Sequence, residues 1–277
     1  MSLPASGSVL GVDVGYSPKR KSSAVCRLSW QDGSLAWSIS RFRHIEPEWR
    51  EALAASVADR RILCAAFDGP LRCGFDEIGR YRRAEQMLTR ELGRKIGKPG
   101  QSSTPVGRRL NGAANLYARS IAGRAEIAPA RHEHAIDNAS IAEAFPSTFL
   151  GVMLPWPTGV AVTRGTRSDI FFQRHAETGG LQALIDFFLP GCRTMTAWDT
   201  VTNHDDRAAL VCALTALCVA AGDYVAVGDQ DGWIVLPPRQ FIQAWAWKDL
   251  VENAAGGACL ATVSPCQPQA ARRRVSP

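Results

Sequence analysis

The chain has 277 residues, of which 46% are hydrophobic and 21% are charged. That composition supplies one sizeable core and excludes a disordered or collagen-like chain. A formal net charge of +6 favours a polyanionic partner without naming one. The longest apolar stretch, Ala208–Ala221, is too short to span a bilayer and follows Asp205, Asp206 and Arg207, so it reads as a buried helix and no membrane is expected. The opening MSLPASGS has no basic start followed by an apolar run, and a cytoplasmic location is the expectation. Eight cysteines, at 26, 64, 73, 192, 212, 218, 259 and 266, include no CxxC pair and no zinc framework with histidine. Several sit in apolar runs, as free thiols in a reducing compartment do.

Ser8–Tyr16 (SVLGVDVGY) predicts a buried strand that ends in glycine. Ser22–Trp30 and Ser34–Arg43 predict two more, joined at Gln31-Asp32-Gly33, a strong hairpin signal. Glu46–Arg61 has helical spacing at Trp49, Leu53, Ala54 and Val57, with an acidic start and an Arg60-Arg61 end that suit the helix dipole. Ile62–Phe67 predicts a fourth strand, apolar throughout, that stops at Asp68-Gly69-Pro70. Its helical crossover places it parallel to a central strand. The expected fold is α/β: an antiparallel meander of three strands plus parallel strands in one mixed sheet, flanked by helices.

Residues 72–135 differ in character and predict a basic helical insertion, with helices over Phe75–Leu92 and Arg108–Ala122. Between Arg80 and Arg131 there are twelve lysines and arginines against three glutamates. That excess is local, and it nominates Arg80, Arg83, Arg90, Arg94, Lys95, Lys98, Arg108 and Arg109 as contacts for nucleic acid. A solvated helical hairpin with arginines outward is the competing reading. Ala139–Leu154 predicts a short strand, then Pro146, then a helix; Ser168–Leu189 predicts a helix broken at Gly179-Gly180. Asp205–Ala221 predicts a long helix, Tyr224–Gly228 and Trp233–Leu236 short strands, and Arg239–Val251 a further helix. One domain is expected over residues 8–252, and residues 253–277, rich in Gly, Ala, Pro and Arg, predict a flexible tail.

An acid stands at the end of each core element. Asp13 lies in GVDVG, Asp68 ends a strand in FDGP, Glu143 lies in IAEAFPS, and Asp205-Asp206 open a hydrophobic helix. Acids beside a core are costly unless paired, hydrogen-bonded or bound to a cation. If strands one and four are adjacent and parallel, Asp13 and Asp68 meet at one edge of the sheet, where sites usually form. Asp13, Asp68, Glu143 and Asp205 are the candidate catalytic residues. Asp13, Asp68, Asp205 and Asp206 are the candidate ligands for Mg²⁺ or Mn²⁺, hard cations that suit oxygen donors and phosphodiester cleavage. Each acid also has a plainer reading: Asp13 in a glycine corner, Asp68 in a turn, Glu143 paired with an arginine of the insertion, and Asp205 or Asp206 as a helix cap.

GVDVG at 11–15, FDGP at 67–70, EAFPSTF at 143–149 and HDDRAALVCALTAL at 204–217, in this order, resemble the domain-of-unknown-function family 429. VAVGD at 225–229 and IVLPP at 234–238 resemble the family's closing segment, so the likeness spans roughly residues 8–240. The resemblance implies a ribonuclease-H-like fold, a metal-dependent nuclease, and acidic positions at Asp13, Asp68, Glu143 and Asp205. One position departs: where the pattern carries a second acid one helical turn into the last block, this chain has Ala208. Two other readings stay open. A binding protein could keep the fold without turnover, and GVDVG also resembles the first phosphate loop of actin-like kinases and ATPases, although no convincing second loop follows.

Overall fold

The computed structural model describes residues 3–58, 61–130, 138–156, 167–254 and 259–264. Cys266, Arg131 and the arginines at 272–274 lie outside them. The chain opens with β1 (Gly7–Asp13), β2 (Ser23–Gln31), β3 (Ser34–Phe42), α1 (Glu46–Ser56), β4 (Arg61–Ile62) and β5 (Ala65–Asp68). The insertion supplies α2 (Arg83–Thr89), α3 (Glu91–Ile96), α4 (Pro105–Ala122) and β6 (Glu126–Ile127). Next come β7 (Ile141–Ala144), α5 (Pro146–Gly151), α6 (Arg167–Thr178), α7 (Gly180–Phe188) and β8 (Arg193–Thr194). The chain closes with α8 (His204–Ala221), β9 (Tyr224–Asp229), β10 (Gly232–Leu236), α9 (Ala244–Ala254) and β11 (Leu260–Val263).

The fold is α/β, with a nine-stranded mixed sheet in the order β11-β9-β10-β7-β5-β1-β2-β3-β8. The meander forms as the sequence predicts: β1 pairs antiparallel with β2, and β2 with β3. A two-residue turn joins β2 to β3, with φ of 51° at Asp32 and 71° at Gly33, the primed geometry that matches strand twist. β5 lies parallel to β1 and β7 parallel to β5.

Alternation along each strand splits the core in two. Val9 and Ala66 face one apolar cluster, which includes the buried length of α8; Leu10, Val12, Ala65 and Phe67 face the other, with Trp49 of α1 and Tyr117 of α4. α8 packs across β1, β2 and β5. Its Leu210, Val211, Leu214 and Leu217 are fully buried, each stabilising the fold by about 1.5–3 kcal/mol over exposure. The helix approaches so closely that a Cβ on Gly11 would lie 2.1 Å from both Ala209 O and Ala213 N. The first glycine of GVDVG therefore lets α8 sit directly on β1. The last one, Gly15, is crossed by the chain at Ser22, whose carbonyl oxygen would lie 2.0 Å from an added Cβ.

Four expectations change. The apolar run 62–67 is two elements, because the chain breaks at Leu63-Cys64: Ile62 pairs with Ile127 in a separate two-stranded sheet, while β5 joins the main one. The predicted helix over Phe75–Leu92 begins only at Arg83, since Arg82 is drawn into a buried ion pair described below. Asn203, and neither aspartate, caps α8: its side chain accepts from the backbone N–H groups of Asp205 and Asp206. The expected tail contributes β11, which pairs antiparallel with β9. Among the described residues, Cys73 is the exposed free cysteine and the other six are buried. No helix among them is long and apolar enough to cross a membrane.

Candidate functional site

The site grows out of strand register. Asp13 pairs with Asp68 across β1 and β5, so both carboxylates leave the sheet at the same level. Asp13 shares its face with Val9 and Gly11, and Asp68 shares its face with Ala66. That face is the one α8 covers, and the first turn of α8 brings Asp205 and Asp206 to the same rim. Because Asn203 does the capping, both carboxyl groups stay out of the cap, while the helix N-terminus favours their negative charge.

The rim is short of positive charge. Burial, then the charges of Asp68, Asp205 and Asp206, push the Asp13 carboxyl well above the usual carboxylate range. Burial pushes Asp68 up to about 7, with Glu143 adding to the rise and His204 opposing it. Asp206 is raised by burial and by Asp205, while Arg41 of β3 pulls it down from 3.4 Å. One Asp206 oxygen is buried without a hydrogen bond. His204 is itself anchored at Asp169, 3.1 Å from its Nδ1, and Arg207 holds the other oxygen of Asp169 at 3.4 Å.

Glu143 lies on the other face of the sheet from Asp13 and Asp68, although it lines a further cleft, about 460 Å³, together with Asp68. Ile141 of β7 faces the cluster that contains α4, and strand alternation puts Glu143 on that same side, opposite Asp13 and Asp68. There it meets Arg82, whose Nη2 lies 2.6 Å from Oε1 and whose Nη1 lies 3.0 Å from Oε2; the backbone N–H of Leu71 also donates to Oε2. Arg82 donates through Nε to Glu85 at 2.9 Å. All three side chains are buried, and removing one partner from such a pair costs about 3–5 kcal/mol. The plainer reading of Glu143, an arginine partner from the insertion, is the one its contacts match.

Open clefts meet at the acids. The first, about 900 Å³, is lined by Asp13, His204 and Asp205, by Tyr16 and Arg20 of the loop after β1, and by Arg109 of α4. The second, about 690 Å³, is lined by Asp68, His204 and Ala208, by Arg94 and Lys98, and by Phe145 and Arg167. His204 borders both. Tyr117 of α4 donates to the carbonyl oxygen of Gly15 at 3.3 Å and lies 2.7 Å from His44 Nδ1, fixing the wall of the first cleft beside Asp13.

The predicted basic contacts divide. Arg94, Lys98 and Arg109 line the clefts. Arg83 bonds Asn253 O and Cys259 Sγ, and Lys95 bonds Asp249 at 2.6 Å, so these two fasten α2 and α3 to the chain's last elements. Arg108 donates to Ser103 O and Asp76 O, Arg80 lies over the Phe75 ring at 3.9 Å, and Arg90 is exposed where α2 meets α3. Arg20 and Arg167 were not predicted. Arg20 stands in Lys19-Arg20-Lys21, a legible basic run two residues beyond GVDVGYS; Arg167 stands in TRGTRS, where nothing periodic marks it.

The donor set fits a hard divalent cation in chemistry: oxygen ligands, desolvated, with excess negative charge. No three of the described His, Cys, Asp and Glu side chains converge as a ready metal cage. Compared with protein-family models, curated proteins and solved structures, the chain has no significant match in any of the three.

Proposed function

We propose that the protein is a metal-dependent nuclease with a ribonuclease-H-like core, acting through Asp13, Asp68 and Asp205. The observation that carries this is the register of Asp13 with Asp68 beneath the first turn of α8, where burial and neighbouring carboxylates push both acids above the usual carboxylate range. Such a cluster takes up either a proton or a cation. A bound Mg²⁺ or Mn²⁺ would neutralise charge on a phosphodiester and lower the pKa of an attacking water. Asp13 and Asp68 would be its first ligands and Asp205 would complete the set; Asp206, tied to Arg41, would contribute charge from the flank. Arg20, Arg109, Arg94, Lys98 and Arg167 offset the repulsion a polyanion meets on approaching acids. The meander followed by parallel strands, order β3-β2-β1-β5-β7, supports the core assignment. A cytoplasmic location accords with the buried thiols.

The test is incubation with single-stranded, duplex, hybrid and branched substrates in Mn²⁺. Cleavage should stop in EDTA and fall at least about 100-fold in Asp13→Asn, the equivalent of some 2.7 kcal/mol of barrier. Cleavage that survives Asp13→Asn would mean the acids are misassigned. A second reading has its own observation: Ala208 lines the second cleft where the motif pattern carries an acid. Nucleic-acid binding in EDTA, with no turnover in Mn²⁺, would make the protein a binder on the same scaffold.

A further inference from the structure

The two clefts adjoin at the acids. Asp13 and Asp205 border the first, Asp68 borders the second, and His204 borders both. Since Asp13 and Asp68 are register partners on adjacent strands, the two clefts lie side by side at the rim of the sheet, as two arms that one chain could follow across it.

The arms repeat the same chemistry. Arg20 and Arg109 line the first, and Arg94, Lys98 and Arg167 the second. Arg94 is paired with Glu91 in an exposed contact; among the described residues Arg20, Lys98, Arg109 and Arg167 have no ion-pair partner. Each arm also carries one half-buried ring, Tyr16 in the first and Phe145 in the second. Cations that track a backbone, together with rings on which bases stack, are the features of a single-strand groove. The arms measure about 900 and 690 Å³, within the range of small-molecule pockets, about 300–1,000 Å³. Each is of a size to take a nucleotide or two.

We infer that one polynucleotide strand crosses the acids from arm to arm, so that the substrate is single-stranded and is engaged on both sides of the acids rather than by one end. This rests on the nuclease reading and adds substrate class and strand path to it. Lys98 and Arg167 are the deciding residues: they hold phosphate in the far arm and touch neither Asp13 nor Asp205.

The experiment measures binding in EDTA, where nothing is cleaved, of labelled oligothymidylates and oligouridylates from dinucleotide to dodecamer, and of a blunt duplex, across a salt series. The parent is compared with Lys98→Gln/Arg167→Gln and Arg20→Gln/Arg109→Gln, each with a melting temperature matching the parent. Affinity for the parent should climb with length beyond the dinucleotide. Each double variant should lower the salt slope by about 1.4, two phosphate contacts at about 0.7 each on a single strand, and should flatten the length dependence. Phe145→Leu should weaken binding without changing the slope. If Lys98→Gln/Arg167→Gln binds like the parent while Arg20→Gln/Arg109→Gln is impaired, the strand ends at the acids and the inference falls alone. A duplex bound as tightly as the single strand overturns it too. A parent that binds no nucleic acid, and cleaves none in Mn²⁺, removes the nuclease reading along with it.

Discussion

With its carboxyl pushed up to about 7 from an ordinary 3.8, Asp68 keeps a proton in the folded chain over a pH range where the unfolded chain has lost it. A raised acid makes stability fall as pH rises: the penalty is absent below about 3.8, grows across the interval, and is complete above about 7. Asp68→Asn should therefore melt above the parent near pH 8, by about 2–4 °C for each kcal/mol removed, and the gap should close toward pH 4. Adding Mn²⁺ near pH 8 should raise the parent and leave the variant behind. A gap that is constant with pH would show that Asp68 is not titrating as its surroundings dictate. Asp13, Asp68 and Asp205 were legible because an acid inside or beside an apolar run has few explanations. Glu143 was equally conspicuous, yet it sits on the opposite face, and only the count of residues along β7 relative to its register with β5 reveals that. Arg20 was legible too, in a basic run outside the segment where basic residues were densest.

Secondary structure was readable wherever a single pattern governed a segment. The hairpin at Asp32-Gly33, the helix of Ala208–Ala221 and the break at Gly179-Gly180 follow from turn geometry and apolar content, and the structure keeps all three. The insertion was less readable, because an ion pair to β7, a tertiary partner that no local pattern specifies, holds Arg82 ahead of α2. The β1–α8 contact makes the sharpest prediction about elements. Gly11→Ala puts a methyl into the backbone of α8 at Ala209 and Ala213. It should destabilise the chain by about 1–3 kcal/mol or more, as overpacking does. Because α8 carries Asp205 and Asp206, the same variant should lose most of its thermal stabilisation by Mn²⁺ even at temperatures where it stays folded. Unchanged melting and unchanged response to Mn²⁺ would show that α8 does not depend on the close approach.

Taken whole, the molecule is built around a nine-stranded sheet with an unlike core on each face, and its acids lie near the middle of the strand order, at β1 and β5. The overall class was legible from the alternation of strands and helices, whereas the sheet's full width was not, because β8 and β11 are short and lie in sequence with little strand character. β11 has a practical consequence. It covers the backbone groups of β9 from Tyr224 to Val227, and its own sequence reads as dispensable tail. A chain trimmed after Ala254 would present β9 as a bare, apolar border, and such borders recruit further copies. We expect the trimmed protein to form concentration-dependent aggregates by light scattering while its circular dichroism stays nearly native, and a trimmed protein that remains monodisperse would show that β9 needs no cover. Anyone shortening this chain for crystallisation would thus be cutting into the sheet while intending to remove slack.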